Sequence, residues 1–405
     1  MTRRRVAITG IGIVSSLGVT RETTWARMLQ GDCGIGPLSA FDATGYRSQI
    51  AGEVAVSELM SRFSPWQWRR WSRSDRLGVV AADEALEDAG VLTGDLDPAR
   101  VGVMLGAGTA DLIRNEDYFF TTLTDGIERA RPSNAWNHFS NTPGDVIAHR
   151  HGFEGQRSCV VAACSSGTIA IGQAADAIRI GRIDVAVAGG TDALARLTFS
   201  GFNALRLMDT APCRPFDRSR SGMNIGEGAG ILILESMDRA RRRGAHVYGE
   251  LAGYSAGCEA FHPTAPQPEG RPIAAVVRAA LADAEIDVDR VDHVNAHGTA
   301  TPQNDRAEAR GFHAVFGDRA ARMPVTSLKS MIGHCLGAAG ALEAAVLALT
   351  VARQVIPPTI NHSETDAECV VDVVANEARQ ARVAVGVSTS LAFGGNDSAL
   401  VIRSV

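Results

Sequence analysis

The sequence predicts an α/β protein assembled from two related halves, on three observations. Short runs rich in Val and Ile, at 6–14, 101–105, 184–188, 230–235, 291–296, 325–328 and 383–388, alternate with stretches whose apolar residues recur at helical spacing. That alternation is the pattern of strands covered by helices. Polar and reactive residues stand repeatedly at the ends of the runs, where open α/β sheets bind their ligands. Finally, Val161-Ala162-Ala163-Cys164 with Gly172-Gln173-Ala174-Ala175 is echoed by Val325-Thr326-Ser327-Leu328-Lys329 with Gly337-Ala338-Ala339-Gly340. A duplicated fold follows. Because 405 residues exceed what one simple core holds, the halves are placed at residues 1–246 and 247–405.

Taken in order, the first strand over 5–14 carries Gly10-Ile11-Gly12, but Ser15 stands where a dinucleotide fingerprint needs its third glycine. A nicotinamide site is therefore not expected. Between Arg62 and Arg76, Trp66, Trp68 and Trp71 alternate with Arg62, Arg69, Arg70 and Arg73. This stretch reads as a surface helix anchored by its tryptophans, as a nucleic-acid contact, or as a dock for an acidic protein. Residues 77–89 form an amphipathic helix stopped by Gly90, and residues 101–105 deliver Gly106-Ala107-Gly108-Thr109. Residues 115–150 are the least regular part, with Tyr118, Phe119 and Phe120 ahead of a polar stretch from Arg131 to Asn141. Such an insertion commonly builds a pocket wall or a subunit contact.

Bulk properties exclude several functions. A net charge of −5 gives no general attraction to nucleic acid or to an anionic membrane. Seven scattered cysteines without CxxC spacing argue against a disulfide framework or a metal site, and they fit a reducing cytoplasm. The apolar run at 6–14 is too short for a signal or membrane segment, and no run of 18 apolar residues is evident elsewhere.

The chemistry is concentrated around residues 160–171, read as a buried apolar strand that stops at Cys164 and passes into a helix rich in Ala, Gly and Ile. A thiol at a helix start is either a buried structural cysteine or a nucleophile whose thiolate the helix end favours. His297 in His-Gly-Thr-Ala-Thr and His334 in Lys-Ser-Met-Ile-Gly-His both stand at such turns, and each, when neutral, would donate from Nε2 to a carbonyl oxygen. Lys329 and Glu343 bracket the second histidine as an ion pair able to orient it. The turn Phe393-Gly394-Gly395 offers backbone N–H to an oxyanion hole shared with Cys164.

Together, Ala163-Cys164-Ser165-Ser166-Gly167, His297-Gly298-Thr299-Ala300-Thr301-Pro302, Lys329 to His334 with Gly337 to Gly340, Pro357-Pro358-Thr359-Ile360-Asn361 and Phe393-Gly394-Gly395 closely resemble the β-ketoacyl-[acyl carrier protein] synthases of the Cys-His-His type. These are the condensing enzymes of fatty acid and polyketide assembly, and the resemblance spans nearly the whole chain. It implies a thiolase fold, two βαβαβαββ halves in five layers, α-β-α-β-α. It implies that Cys164 takes the acyl chain, that His297 and His334 bind the malonyl thioester carbonyl, and that Lys329 and Glu343 form a structural pair. By the same resemblance Phe393 is a gate, Thr299 and Thr301 hold the pantetheine arm, Thr109 and Phe202 line the acyl pocket, and Arg69 and Arg70 dock the acyl carrier protein. The carrier protein supplies phosphopantetheine, and the enzyme binds no cofactor or metal of its own. A homodimer, or a heterodimer with a ketosynthase-like chain-length factor, is implied, with no nucleic acid and no membrane.

The chain departs from the family pattern in places. Val161-Ala162-Ala163 replaces Asp-Thr-Ala, Ala392-Phe393-Gly394-Gly395-Asn396-Asp397 replaces Gly-Phe-Gly-Gly-Thr-Asn, and Ser221-Gly222-Met223-Asn224 replaces Asp-Gly-Phe-Val. These changes favour assembly of a polyketide by discrete subunits, with fatty-acid elongation as the alternative. A non-elongating partner subunit is disfavoured by Cys164 and both histidines. A serine hydrolase, suggested by Gly253-Tyr254-Ser255-Ala256-Gly257, lacks the sustained helix an elbow needs, because Pro263, Pro266 and Pro268 follow.

Overall fold

The structure, a computed structural model, describes residues 3–92, 96–110, 112–135 and 139–405. Five strands of the first half, β1 (Val6–Val14), β2 (Val101–Gly106), β3 (Arg157–Val160), β4 (Val185–Asp192) and β5 (Gly228–Ser236), lie in the order β3-β2-β4-β5-β1. Strands β6 (Gly249–Cys258), β7 (His293–Asn295), β8 (Pro324–Thr326), β9 (Val385–Ser390) and β10 (Asn396–Arg403) repeat it as β8-β7-β9-β10-β6. The directions repeat too: the first three strands of each series are mutually parallel and the remaining pairings antiparallel. Ala7 and Ile8 of β1 pair with Glu250 and Gly249 of β6, so the hydrogen-bonded ladder runs on from one half to the other.

Helices make the layers. Helices α1 (Arg73–Ala89) and α2 (Thr142–His151) cover the outer face of the first series, and α3 (Ser166–Arg179) lies on its inner face. Helices α4 (Arg271–Asp283) and α5 (Pro302–Phe316) cover the outer face of the second, while α6 (Ala339–Arg353) lies inside, against α3, β5 and β9. The result is the expected five-layer, duplicated α/β arrangement, the thiolase fold. Residues 339–351 of α6 are all buried, which explains the helix's composition. By length and mean hydropathy Leu336–Arg353 could cross a membrane, but it carries Glu343 and Arg353, is 89% buried between the sheets and serves as a core helix.

Local chemistry sets the element ends. In α1 the Ser72 hydroxyl accepts the Asp75 N–H (3.0 Å) and Asp75 accepts the Ser72 N–H (2.8 Å), a reciprocal cap, and Gly90 closes the helix in the left-handed region. This cap starts α1 four residues earlier than the apolar pattern alone indicates. It also divides the Trp/Arg stretch, where a short helix (Pro65–Arg70) precedes Ser72. Trp68 and Trp71 are partly buried there and Trp66 is exposed, with the Arg76 guanidinium 3.8 Å from the Trp68 ring. The glycines of Gly10-Ile11-Gly12 admit α1: a Cβ on Gly12 would stand 1.8 Å from the Ala81 carbonyl oxygen. Close helix packing, and not a phosphate, explains that motif.

Two further expectations are corrected. Residues 112–125 form a regular helix (Leu112–Asp125), since the segment lacks Gly and Pro; its Thr121, Thr122 and Thr124 hydroxyls are accommodated by bonding carbonyls one turn back. Residues 136–138 of the polar stretch lie outside the described residues. The strand leading to Cys164 is the outermost of its sheet, half-exposed, with Val161 62% exposed, because among the described residues no strand pairs along that edge. Ser255 lies inside β6, paired with Ala399, so the Gly-x-Ser-x-Gly pentapeptide forms a strand and no elbow.

Another close interlayer contact is at Gly230, where an added Cβ would stand 2.6 Å from the backbone of Ala341 and Leu342. Gly230→Ala is expected to destabilise the protein by about 1–3 kcal/mol, read as a lowered denaturant midpoint.

Candidate active site

Cys164 sits in a turn (Ala163–Ser165) between β3 and α3, entered through Ala163 at φ 46°. Ser166 braces the turn by accepting the Ala162 N–H (2.8 Å) and donating to the Ala163 carbonyl (2.6 Å). Ser165 donates to the Asn396 carbonyl (2.5 Å) and the Ser390 carbonyl (3.1 Å), tying the start of α3 to the second half. The second half repeats this device ahead of α6: Leu336, at φ 51°, opens the turn Leu336–Ala338. The sequence echo had aligned Cys164 with Lys329. The backbone instead aligns it with Gly337, because a short helix (Lys329–Ile332) and His334 are inserted before the second turn.

That insertion brings His334 across the layer. Its Nε2 lies 3.0 Å from Cys164 Sγ, and its Nδ1 accepts the Leu336 N–H at 3.1 Å. With Nδ1 accepting, the neutral ring carries its proton on Nε2, aimed at the sulfur. His297 follows β7, with its ring centre 5.3 Å from that of His334 and nearly perpendicular to it. Its backbone N–H is held by Glu308 (2.7 Å), and Lys329 Nζ reaches its carbonyl (2.6 Å) and its Nδ1 (3.4 Å). Lys329 also forms a buried ion pair with Glu343. The pair thus orients His297 and not, as expected, His334, whose Nδ1 is already taken by Leu336.

Burial dominates the electrostatics. It pushes both histidines well below the usual imidazole range, and the nearby Lys329 ammonium adds to this, so both rings are neutral at pH 7. Burial also pushes the Cys164 thiol up to about 12, with Lys329 and the Phe393 backbone N–H acting in the opposite direction. At Cys164 desolvation therefore outweighs the helix start, which was expected to favour the thiolate. The Gly394 and Gly395 N–H groups are committed to the Pro263 carbonyl (2.8 Å) and the Ala392 carbonyl (2.9 Å), so Phe393 supplies the N–H that reaches the sulfur.

Cys164, His297 and His334 open onto a cavity of about 260 Å³ whose walls include Phe202, Thr299, Thr301 and Phe393. Phe202 stacks on Phe393 with centroids 5.5 Å apart, and the Thr299 and Thr301 hydroxyls are 2.9 Å apart. Thr109 is not in this wall; its hydroxyl donates to Asp192 (3.2 Å). Arg69 and Arg70 are exposed at the end of the short helix Pro65–Arg70, outside the cavity. Sequence reasoning missed Glu259, Glu308 and Asp397. A run of prolines at 263, 266 and 268 was the one signal near the first, and Asp397 stands in a recognised departure.

The sulfur and two imidazoles lie within 4.8 Å of one another, a spacing a soft cation accepts. However, the Leu336 N–H fixes the proton on His334 Nε2, so that nitrogen presents a hydrogen and no lone pair.

The Beta-ketoacyl synthase N-terminal domain family matches residues 3–240, and its C-terminal domain family matches residues 248–363. The tetracenomycin polyketide synthase ketoacyl synthase alpha subunit of Streptomyces glaucescens is 39% identical, over 99% of this chain and 98% of that protein. The 3-oxoacyl-[acyl-carrier-protein] synthase 2 of Synechocystis is 35% identical, over 100% and 99%. Among solved structures, a chain of the ishigamide ketosynthase/chain length factor superposes with a TM-score of 0.94 at 36% identity, covering 100% of both chains. A type II polyketide acyl-carrier protein complex with its hexaketide-bound ketosynthase gives a TM-score of 0.92 at 31% identity, covering 100% of both chains. With the two domain families matched in succession between residues 3 and 363 and relatives aligned over almost the whole chain, the chain belongs to the beta-ketoacyl synthase family.

Proposed function

We propose that the protein is an acyltransferase that joins a Cys164-bound acyl chain to malonyl-[acyl carrier protein] by decarboxylative condensation, in polyketide assembly from discrete subunits. The observation that carries this reading is the approach of His334 Nε2 to Cys164 Sγ at 3.0 Å, with neutral His297 beside it.

In the first step the sulfur attacks the thioester carbonyl of an acyl carrier protein, the carbonyl–sulfur bond to pantetheine breaks, and the thiol proton leaves on the pantetheine sulfur. The donors converging on Sγ, from His334 and Phe393, favour the negative sulfur as that proton departs. In the second step the two Nε2–H groups hold the malonyl thioester oxygen, so the electrons released with carbon dioxide collect as an enolate. The enolate carbon then bonds to the acyl carbonyl and expels the Cys164 sulfur, giving a β-ketoacyl carrier protein two carbons longer. Neutral imidazoles suit this task, since they donate without taking the proton away. Lys329 and Glu343 would fix His297, Phe393 against Phe202 would gate the passage, and Thr299 with Thr301 would hold the pantetheine arm.

The same reading divides the chain into a cysteine-bearing half, 1–246, and a histidine-bearing half, 247–405, in the cytoplasm. Arg69 and Arg70 would meet the acidic carrier protein, which brings the phosphopantetheine. A second ketosynthase-like chain, identical or a chain-length factor, would cover the open β3 edge and the exposed Phe119, Phe120 and Leu123. Fatty-acid elongation is the second reading, favoured by the 35% identity to the Synechocystis synthase.

Incubation with acyl carrier protein is expected to leave the acyl group on the peptide holding Cys164, and Cys164→Ala to abolish it; mass analysis showing Ser255 acylated instead would overturn the reading. His297→Ala and His334→Ala should each slow malonyl decarboxylation by about 10²–10³-fold while Cys164 is still acylated, measured as released carbon dioxide against acyl-enzyme. Burial holds His293 down at about 4 and both His297 and His334 below the ordinary value of 6.5. The unfolded chain therefore binds more protons below that value, and stability should fall as pH drops through about 6.5 toward 4, followed by denaturant midpoints.

A further inference from the structure

Asp397 begins the return of the chain from the Phe393 turn into β10. It is 1% exposed and lies in the wall of the Cys164 cavity, yet neither carboxyl oxygen has a hydrogen-bond donor from another residue. Its neighbour is a second acid. Asp397 pairs with Gly257 across β6, and the Glu259 side chain two residues further on comes within hydrogen-bonding reach of it. Glu259 is itself fixed at both ends, its N–H donating to the Gly395 carbonyl (2.8 Å) and its carboxylate accepting the Gln267 N–H (2.8 Å). The remaining contact between the two segments is the Gly394 N–H on the Pro263 carbonyl. The other charged group acting on Asp397 is Glu308 of α5, which is occupied by His297, Gly298 and Thr389. His262, in the same cavity wall, faces inward to the Thr264 and Ala265 N–H groups.

Asp397 thus faces two further carboxyls and no cation among the groups acting on it, and two carboxylates within hydrogen-bonding reach cannot both ionise. One proton must be shared. Burial first, and Glu259 second, push Asp397 up to about 9, so the proton is present at neutral pH. We propose that Asp397 is a positioning residue for the Phe393 turn: its carboxylic acid donates to Glu259 and clamps residues 391–397 against residues 259–266 beside Cys164. Above the range in which that proton is held, repulsion between the two carboxylates loosens the cavity wall and with it the Phe202–Phe393 stack. An asparagine at 397 would donate an amide N–H to Glu259 and make the clamp insensitive to pH. The consequence for catalysis rests on the condensing reading, whereas the clamp does not.

The test uses the full chain labelled with fluorophenylalanine, with the Phe393 resonance assigned through Phe393→Leu and followed by 19F NMR between about pH 7 and pH 10. The Cys164 thiol, pushed up to about 12, stays outside that window. The unsubstituted protein is expected to show a titrating Phe393 signal and a KM for malonyl carrier protein that rises with pH, whereas in Asp397→Asn the signal is flat and the rise is absent. Glu259→Gln, at a half-exposed residue, is expected to flatten the signal as well and covers the case in which Asp397→Asn does not fold. A flat signal in the unsubstituted protein, or a titration that survives both substitutions, overturns the clamp. A titrating signal without any condensation product would overturn the proposed function and leave the clamp standing.

Discussion

Where α3 and α6 pass one another decides where Cys164 and His334 stand. A Cβ on Gly167 would meet the Ala341 Cβ at 2.9 Å, and Thr168 and Ser390 share a hydrogen bond of 2.8 Å beside that crossing. The buried carboxylate of Asp192 secures it, accepting N–H groups from Gly108 and Gly337 at 2.8 Å and from Thr109 at 3.1 Å. One side chain at the end of β4 thereby ties the loop after β2 to the turn before α6. A shift of that turn moves the Leu336 N–H, and with it the tautomer of His334.

The groups of the resulting site are withdrawn from solvent, and this determines its electrostatics. A thiol, two imidazoles and an ion pair are almost fully buried, each supported by groups that do not take part in bond making. Lys329 with Glu343 places a positive charge behind His297 without exposing it to the cavity, at the cost of burying both partners. That charge adds to the burial that keeps the rings neutral, and pulls against the burial that raises the thiol. Substrate enters a pocket in which the hydrogen-bond donors already point at the reacting atoms.

Cys164, His297, His334 and Phe393 were legible because each lies in a short linear motif at the end of a strand, and the duplication showed in the repeated apolar runs. Other features depend on what lies opposite in space. Lys329 serves His297 because an inserted helix turns its side chain toward β7, which spacing from His334 does not reveal. Asp397 and Glu259 are far apart in the chain and meet only because β6 and β10 pair. The strand before Cys164 looked buried because Val160 and Val161 are apolar, but among the described residues a strand pairs with it on one side only. The helix Leu112–Asp125 was hidden for the same reason, since its Phe119, Phe120 and Leu123 face outward.

Ala163 and Leu336 occupy the left-handed region at matching points, ahead of α3 and α6, although neither is glycine. Each pays roughly 1–2 kcal/mol for that conformation, yet only the first turn carries a thiol. The strain at the cysteine therefore belongs to the ancestral repeat and not to the reaction. Duplication handed the same sharp corner to both copies, one copy filled it with sulfur, and the other used the approach to its corner to supply a histidine.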